Sequence, residues 1–243
     1  MPNPTAAMLV IGDEILSGRT RDANMHYLAG ELTRVGIDLK EVRIVSDDGK
    51  AITGAVNDLR QRYDQVFTSG GIGPTHDDIT ADCIAAAFGV PIDVRDDALA
   101  ILFAHYIRMG TELNDARMRM ARIPDGATLI DNPISAAPGF TLGNVHVMAG
   151  VPAIFVAMTA SVLPTLTGGA PLLSRTLRVD RPEGEIAGPL GDLARTSPEL
   201  SMGSYPYIQN GQYGSNLVIR GTDAAAIDAA LADLQSILGG EVQ

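Results

Sequence analysis

Residues 68–80, Thr68-Ser69-Gly70-Gly71-Ile72-Gly73-Pro74-Thr75-His76-Asp77-Asp78-Ile79-Thr80, decide how this chain is read. Gln65-Val66-Phe67 leads in as a strand, three glycines break it, and an apolar-periodic segment restarts as a helix over 77–88. A strand that ends in a glycine turn and restarts as a helix presents backbone N–H groups to an anion. Asp77 and Asp78 at the same mouth repel a phosphate unless a divalent cation lies between. Turn, anion cradle and carboxylates together point to a phosphorylated ligand with Mg²⁺.

Working outward, the segments alternate. Ala7–Ile11 reads as a strand closed by Gly12, 22–35 as a helix, 37–45 as a strand, 50–63 as a helix and 64–68 as the third strand. This βαβαβα order predicts an α/β fold of three layers, a mainly parallel sheet covered on both faces. Two helices are expected over 98–109 and 112–122. A short strand is expected at 127–130, a hairpin about Gly143 and a helix from Pro152 to Leu163. Met109, Met118 and Met120 read as gap-filling core or interface residues. Thr167-Gly168-Gly169-Ala170-Pro171 is the linker candidate. It separates a first domain, 1–168, from a small β-α-β-β-α domain, 173–243.

Composition narrows the function. The 243 residues carry 29 acidic against 18 basic side chains, a formal net charge of −11, which gives no footprint for nucleic acid or an anionic membrane. With 5% aromatic residues and no Trp, stacking platforms for single strands are not expected. Gly211-Gln212-Tyr213-Gly214 has a G-x-x-G spelling, but it joins two strands in an acidic region. The lone Cys83 excludes an internal disulfide and falls on an apolar helix spacing. No signal-length or membrane-length apolar stretch is present, so a cytoplasmic protein with no membrane partner is expected.

In an open parallel sheet the C-terminal strand ends share one edge, where ligands bind. Gly12-Asp13-Glu14, Asp47-Asp48 and Asp77-Asp78 follow three successive strands and are candidates to converge there. For Asp47 and Asp48, turn and capping chemistry explains the residue types equally well. No G-x-G-x-x-G or P-loop is present, no H-E-x-x-H, and no G-x-S-x-G around Ser17 or Ser69. Ser69 is expected to donate its hydroxyl to phosphate. Gly150-Val151-Pro152 resembles the entry at 70–80 and predicts a further ligand-facing turn.

With these turns in place the chain resembles the molybdopterin-binding (molybdenum-cofactor-biosynthesis) domain family, on the side of the N-terminal region of competence/damage-inducible protein CinA. The resemblance lies in 10–18, Asp22-Ala23-Asn24, 45–48, 68–80, Ala137-Pro138-Gly139-Phe140 and Gly150-Val151-Pro152. Residues 173–238 are similar to the small domain that follows in that group. The resemblance implies a pocket for molybdopterin or an adenine nucleotide and Mg²⁺-dependent chemistry, with K⁺ as a further possible cofactor. Asp47, Asp48 and Asp78 take the catalytic places, and Asp47, Asp77 and Asp78 those of metal ligands. Gly12, Asp13, Glu14, Ser69, Gly70, Gly71, Gly73, Thr75, Pro138, Gly139, Gly150 and Pro152 take the ligand-binding ones. Phosphoanhydride hydrolysis of an ADP-containing nucleotide such as ADP-ribose is the leading expectation. A binding module without turnover, or adenylyl transfer to molybdopterin, are the alternatives. A homo-oligomer, a dimer before a trimer, is expected. The chain departs from the family pattern at Ser135-Ala136, Ala149 and Ile154, the last standing where a carboxylate is usual.

Overall fold

The computed structural model describes residues 2–209 and 211–243. They divide into two compact units, the first ending at Gly169 and the second beginning at Ala170.

The first unit begins with β1 (Thr5–Ile11), a single helical turn α1 (Asp13–Leu16), α2 (Asn24–Arg34), β2 (Asp38–Val45), α3 (Gly49–Arg62) and β3 (Gln65–Ser69). Then come α4 (Thr80–Phe88), β4 (Ile92–Val94), α5 (Asp96–Arg108), α6 (Asp115–Met118), β5 (Arg122–Pro124) and β6 (Thr128–Ile130). The hairpin strands β7 (Gly139–Leu142) and β8 (Val145–Met148) and the helix α7 (Pro152–Val162) complete it. One sheet runs β2-β1-β3-β8-β7-β6. β1 is parallel to β2 and β3, and β3 to β8, while β7 runs antiparallel to both of its neighbours, β8 and β6. The sheet is therefore mainly parallel, as the βα alternation requires.

The period of two in β1 sorts its side chains between the two layers. Ala7, Leu9 and Ile11 join Ile52, Val56 and Leu59 of α3, Cys83 and Ile84 of α4 and Leu102 of α5. Ala6, Met8 and Val10 join Leu28 and Leu32 of α2 and Phe155, Met158 and Val162 of α7. Phe67, Phe140 and Phe155 are fully buried, so truncating any of them to Ala costs about 3–5 kcal/mol. Burial also raises the Cys83 thiol above its ordinary pKa, which keeps it protonated and inert.

Three expectations need correction. The helix expected from Asp77 begins at Thr80, because Asp78 is engaged in the turn and Ile79 has φ −113°, ψ 2°. The helix expected over 112–122 is only α6 and a 3₁₀ turn, Arg119–Ala121, before the chain extends as β5 to pair with β4. Asn114 caps α6 by accepting from the Arg117 amide, so the helix starts late, and Arg122 is already extended. Of the methionines, Met109 is exposed, which removes the core half of its reading and leaves the interface half.

The second unit is β9 (Leu173–Val179), α8 (Glu183–Thr196), β10 (Ser201–Gln209), β11 (Gln212–Gly221), α9 (Ala224–Leu238) and β12 (Glu241–Val242). Its antiparallel sheet, β10-β11-β9-β12, packs Leu177, Val179, Leu217 and Ile219 against Ile186 of α8 and Ile227, Leu231 and Leu234 of α9. Asp223 caps α9 by accepting from the Ala225 amide at 2.9 Å. β12 adds an edge strand that a two-residue run after Gly239-Gly240 does not advertise.

Candidate functional site

The parallel register sets four strand ends level. Ile11 pairs with Val45, Val10 with Ser69, and Ser69 with Met148. The turns that follow, at Gly12, Asp47, Gly70 and Gly150, consequently open on one edge of the sheet, as strand topology demands. Each is fixed to its neighbour. The Gly12 amide donates to Val45 O at 3.1 Å, the Asp13 amide to Asp47 Oδ2 at 2.9 Å, and the Gly70 amide to Met148 O at 3.1 Å.

The glycine turn tolerates no side chain. Gly70 and Gly71 have φ of +111° and +70°, a region L-residues rarely enter. A Cβ on Gly70 would lie 2.3 Å from Ile11 O, and one on Gly71 2.1 Å from Thr80 Oγ1. Thr80 draws the turn closed, its hydroxyl donating to Gly70 O at 3.1 Å and its amide to Gly71 O at 3.0 Å. A Cβ on Gly73 would meet Asp78 Oδ2 at 2.6 Å. Asp78 Oδ2 accepts from both the amide and the hydroxyl of Thr75, at 2.8 and 2.5 Å. No group among the described residues donates to Asp78 Oδ1. The Thr75 hydroxyl also holds the Asp77 carboxyl below the ordinary carboxylate range, helped by the Asp77 amide.

These turns wall one cavity of about 640 Å³, in the range of small-molecule sites. Gly12, Glu14, Asp47, Gly70, Gly71, Gly73, Asp77, Asp78, Gly150 and Pro152 line it. The remaining candidates take other places. Asp48 is the N-cap of α3, its Oδ1 accepting from the Lys50 and Ala51 amides at 3.1 and 2.9 Å, so capping chemistry accounts for it. Asp13 contributes its amide, not its carboxylate, to the Asp47 contact. Ser69 is buried, and its Oγ accepts from Asn24 Nδ2 at 2.8 Å, so it does not face the cavity. Thr75 acts through Asp78. Pro138 lines a small adjoining recess, and Gly139 is buried in β7 opposite Ile130.

The wall formed by the last turn is apolar. Ala149, Val151, Pro152 and Ile154 close it, so the positions that depart from the family pattern are on the cavity surface itself. Ser135, another departure, lines it too. Beside it Ala136 is the only non-glycine with positive φ among the described residues, at +62°.

Two asparagines that composition does not single out hold this edge together. Asn24 Nδ2 donates at 2.8 Å both to Ser69 Oγ and to Gly150 O, joining α2 to the Gly70 and Gly150 turns. Buried Asn132 donates to Ser135 Oγ and Ala137 O at 2.7 and 2.8 Å, and accepts from the amides of Ile134 and Ser135. The sequence signal for Asn132 was its place before Pro133, read there only as loop punctuation.

Among the described residues no three His, Cys, Asp or Glu side chains converge as a ready metal nest. Asp47 and Asp78 line the cavity with open oxygens around it. Mg²⁺ takes one or two protein carboxylates and completes its shell with phosphate oxygens and water, so this donor set fits an ion that arrives with its ligand. No helix of the described residues is long and apolar enough to cross a membrane.

Comparison with known proteins agrees with this architecture. Residues 7–168 match the probable molybdopterin binding domain family, and residues 171–243 match the middle domain of FAD synthase. A probable FAD synthase of Caenorhabditis elegans is 30% identical over 98% of this chain, which spans half of that protein. A CinA-like protein of Geobacter metallireducens is 34% identical over 97% of this chain and 60% of its own length. A protein of Aeropyrum pernix is 32% identical over 89% of this chain and 83% of itself. The crystal structure of the protein CinA from Thermoplasma acidophilum superposes with a TM-score of 0.62 at 32% identity, over 67% of this chain and 97% of that one. By sequence match and by fold the chain belongs to the molybdopterin-binding domain family, as a CinA-like member carrying a FAD-synthase middle domain.

Proposed function

We propose that the first unit binds an ADP-containing nucleotide such as ADP-ribose and hydrolyses its phosphoanhydride with Mg²⁺. The observation that carries this reading is the one cavity lined both by a side-chain-free glycine turn and by Asp47, Asp77 and Asp78. Backbone N–H groups at Gly71–Gly73 hold the diphosphate, where only glycine allows the ligand's oxygens so close. Asp47 and Asp78 would hold Mg²⁺, which when bound neutralises charge on the phosphate oxygens. Asp78 Oδ1 accepts a hydrogen bond from the attacking water, while Thr75 fixes the rotamer through Oδ2. Water adds to one phosphorus and the bridging P–O bond breaks, giving AMP and ribose 5-phosphate. K⁺ is a further cation to be titrated.

The probable FAD synthase and the CinA-like protein match this chain over both of its units, and FAD itself contains an ADP moiety, which supports a dinucleotide as ligand. A second reading, binding of nucleotide or pterin without turnover, draws on Ile154, which presents no oxygen to a cation. Adenylyl transfer to molybdopterin is the third. Incubating the full chain with ADP-ribose or FAD, with and without Mg²⁺, and separating the products distinguishes them. AMP release that requires the metal supports hydrolysis. Binding without release selects the second reading, and absence of both removes the nucleotide.

We also take the protein to be cytoplasmic, to bind no nucleic acid and to pair as a homodimer. Ile101, Phe103, Ile107 and Met109 leave apolar surface exposed along α5 and just beyond it, which association would cover. Light scattering that returns a monomer of 25.5 kDa at every concentration contradicts the pairing.

A further inference from the structure

The cavity is walled by Glu14, Asp47, Asp77 and Asp78 and by no lysine, arginine or histidine. A diphosphate entering it meets like charge on every ionised side chain, and a single divalent ion offsets only part of that. The missing positive charge lies behind the same turn. Gly71, Ile72, Gly73, Asp78 and Met120 also wall a recess of about 20 Å³, together with Arg119, Arg122 and Pro138. The two arginines there are not equivalent. Arg122 forks onto Asp82, at 2.7 and 3.0 Å, and its charge is already matched. Arg119 has no carboxylate partner among the described residues. Its Nη2 reaches Asp78 O only at 3.5 Å, and its Nε is buried with no acceptor at all.

A buried guanidinium N–H without an acceptor is costly, and native proteins keep few of them. The 3₁₀ turn Arg119–Ala121 and β5 place it against the glycine turn, and among the described residues nothing accepts from its Nε. The recess holds about one water-sized group. A base or sugar is too large for it, whereas one phosphate oxygen is not.

We infer that Arg119 is the fixed cation of the site, donating to a phosphate oxygen of the ligand held at Gly71–Gly73 and setting its preference for a diphosphate. This rests on the nucleotide reading of the cavity and adds a specificity-determining residue to it. Arg119 then contributes before any metal arrives, so its effect appears in metal-free binding as well as in turnover.

The test is calorimetric, with the full chain and two probes, ADP-ribose and inorganic pyrophosphate, in chelator and in Mg²⁺. Arg119→Gln should weaken both probes about tenfold in chelator, the worth of one charge-assisted hydrogen bond. It should also flatten the dependence of affinity on ionic strength. Arg119→Lys should recover part of the loss and all of the salt dependence. Arg122→Gln, whose partner is Asp82, should lower the melting temperature without changing the salt dependence. If Arg119→Gln binds pyrophosphate as the wild type does, the assignment is wrong. It is equally wrong if Lys fails as fully as Gln with the salt dependence unmoved, since that pattern is structural. Wild type that binds neither probe overturns the nucleotide reading, and this assignment with it.

Discussion

Two strand–glycine–helix entries lie side by side on the cavity wall, on the neighbouring strands β3 and β8, and their difference is instructive. The entry at 69–80 is spelled in glycines that cannot be replaced and ends in Asp77 and Asp78. The entry at 149–154 has the same outline, with Pro152 in the first turn of α7, but lines the cavity with Ala149, Val151 and Ile154. One side offers amides and carboxylates, the other offers surface. The asymmetry assigns charge handling to the first turn and leaves the second to contact and shape.

The largest effect expected from this division is catalytic. Asp78→Asn keeps an acceptor for Thr75 but removes the charge, so metal-dependent AMP release should fall about 10²–10³-fold with little change in melting temperature. Ile154→Ala, in the second entry, should shift KM and leave kcat nearly unchanged. Equal losses of kcat in the two variants would erase the distinction.

The second contrast is between the glycines. Gly71→Ala forces a Cβ to 2.1 Å from Thr80 Oγ1 at φ +70° and should cost about 3 kcal/mol or more in denaturant unfolding. At Gly150 the added Cβ would lie 3.3 Å from Gly70 Cα with no positive φ. Gly150→Ala should therefore cost about 1 kcal/mol. The reverse order would mean that the second turn, not the first, carries the geometry.

Beneath the second turn, β8 holds His146, buried beside Phe67 and bonded to Thr141 and Gln65. Burial lowers its pKa from 6.5 to about 4. Between those values the unfolded chain binds the extra proton, so stability rises with pH there. The contribution is complete above pH 6.5 and is lost as pH falls toward 4, on the order of 3 kcal/mol from the shift. His146→Gln should flatten the stability profile over that window. An unchanged profile would show that the histidine is not buried neutral.

Much of this was legible in the sequence because glycine, aspartate and apolar period carry local signals. Apart from the single turn α1, the elements of residues 5–69 and the helix α7 follow from hydrophobic spacing and turn residues, and the topology then brings the acidic turns to one edge. What the sequence hid is set by tertiary partners. Ser69 looks like a phosphate donor until Asn24 occupies its hydroxyl. Asp48 looks equivalent to Asp47 until its side chain caps α3. Asp78 postpones α4 by bonding Thr75, and Arg119 becomes informative only when the elements around it leave Nε alone.

The smallest effect lies in the loop that lines the cavity at Ser135 and Ala137. Ala136 holds a left-handed φ of +62°, so Ala136→Gly should stabilise the fold by up to about 1 kcal/mol. A destabilisation would show that its methyl packing outweighs the backbone strain.

The central claim is that the diphosphate and the cation meet at the first turn, between Asp47 and Asp78. Mn²⁺, as a paramagnetic substitute for Mg²⁺, tests it through ³¹P relaxation of ADP-ribose bound to the full chain. The account predicts strong broadening of both phosphorus signals in the wild type and in Ile154→Ala, and its loss in Asp47→Asn and in Asp78→Asn. Broadening that survives in both aspartate variants would place the cation elsewhere and contradict the account.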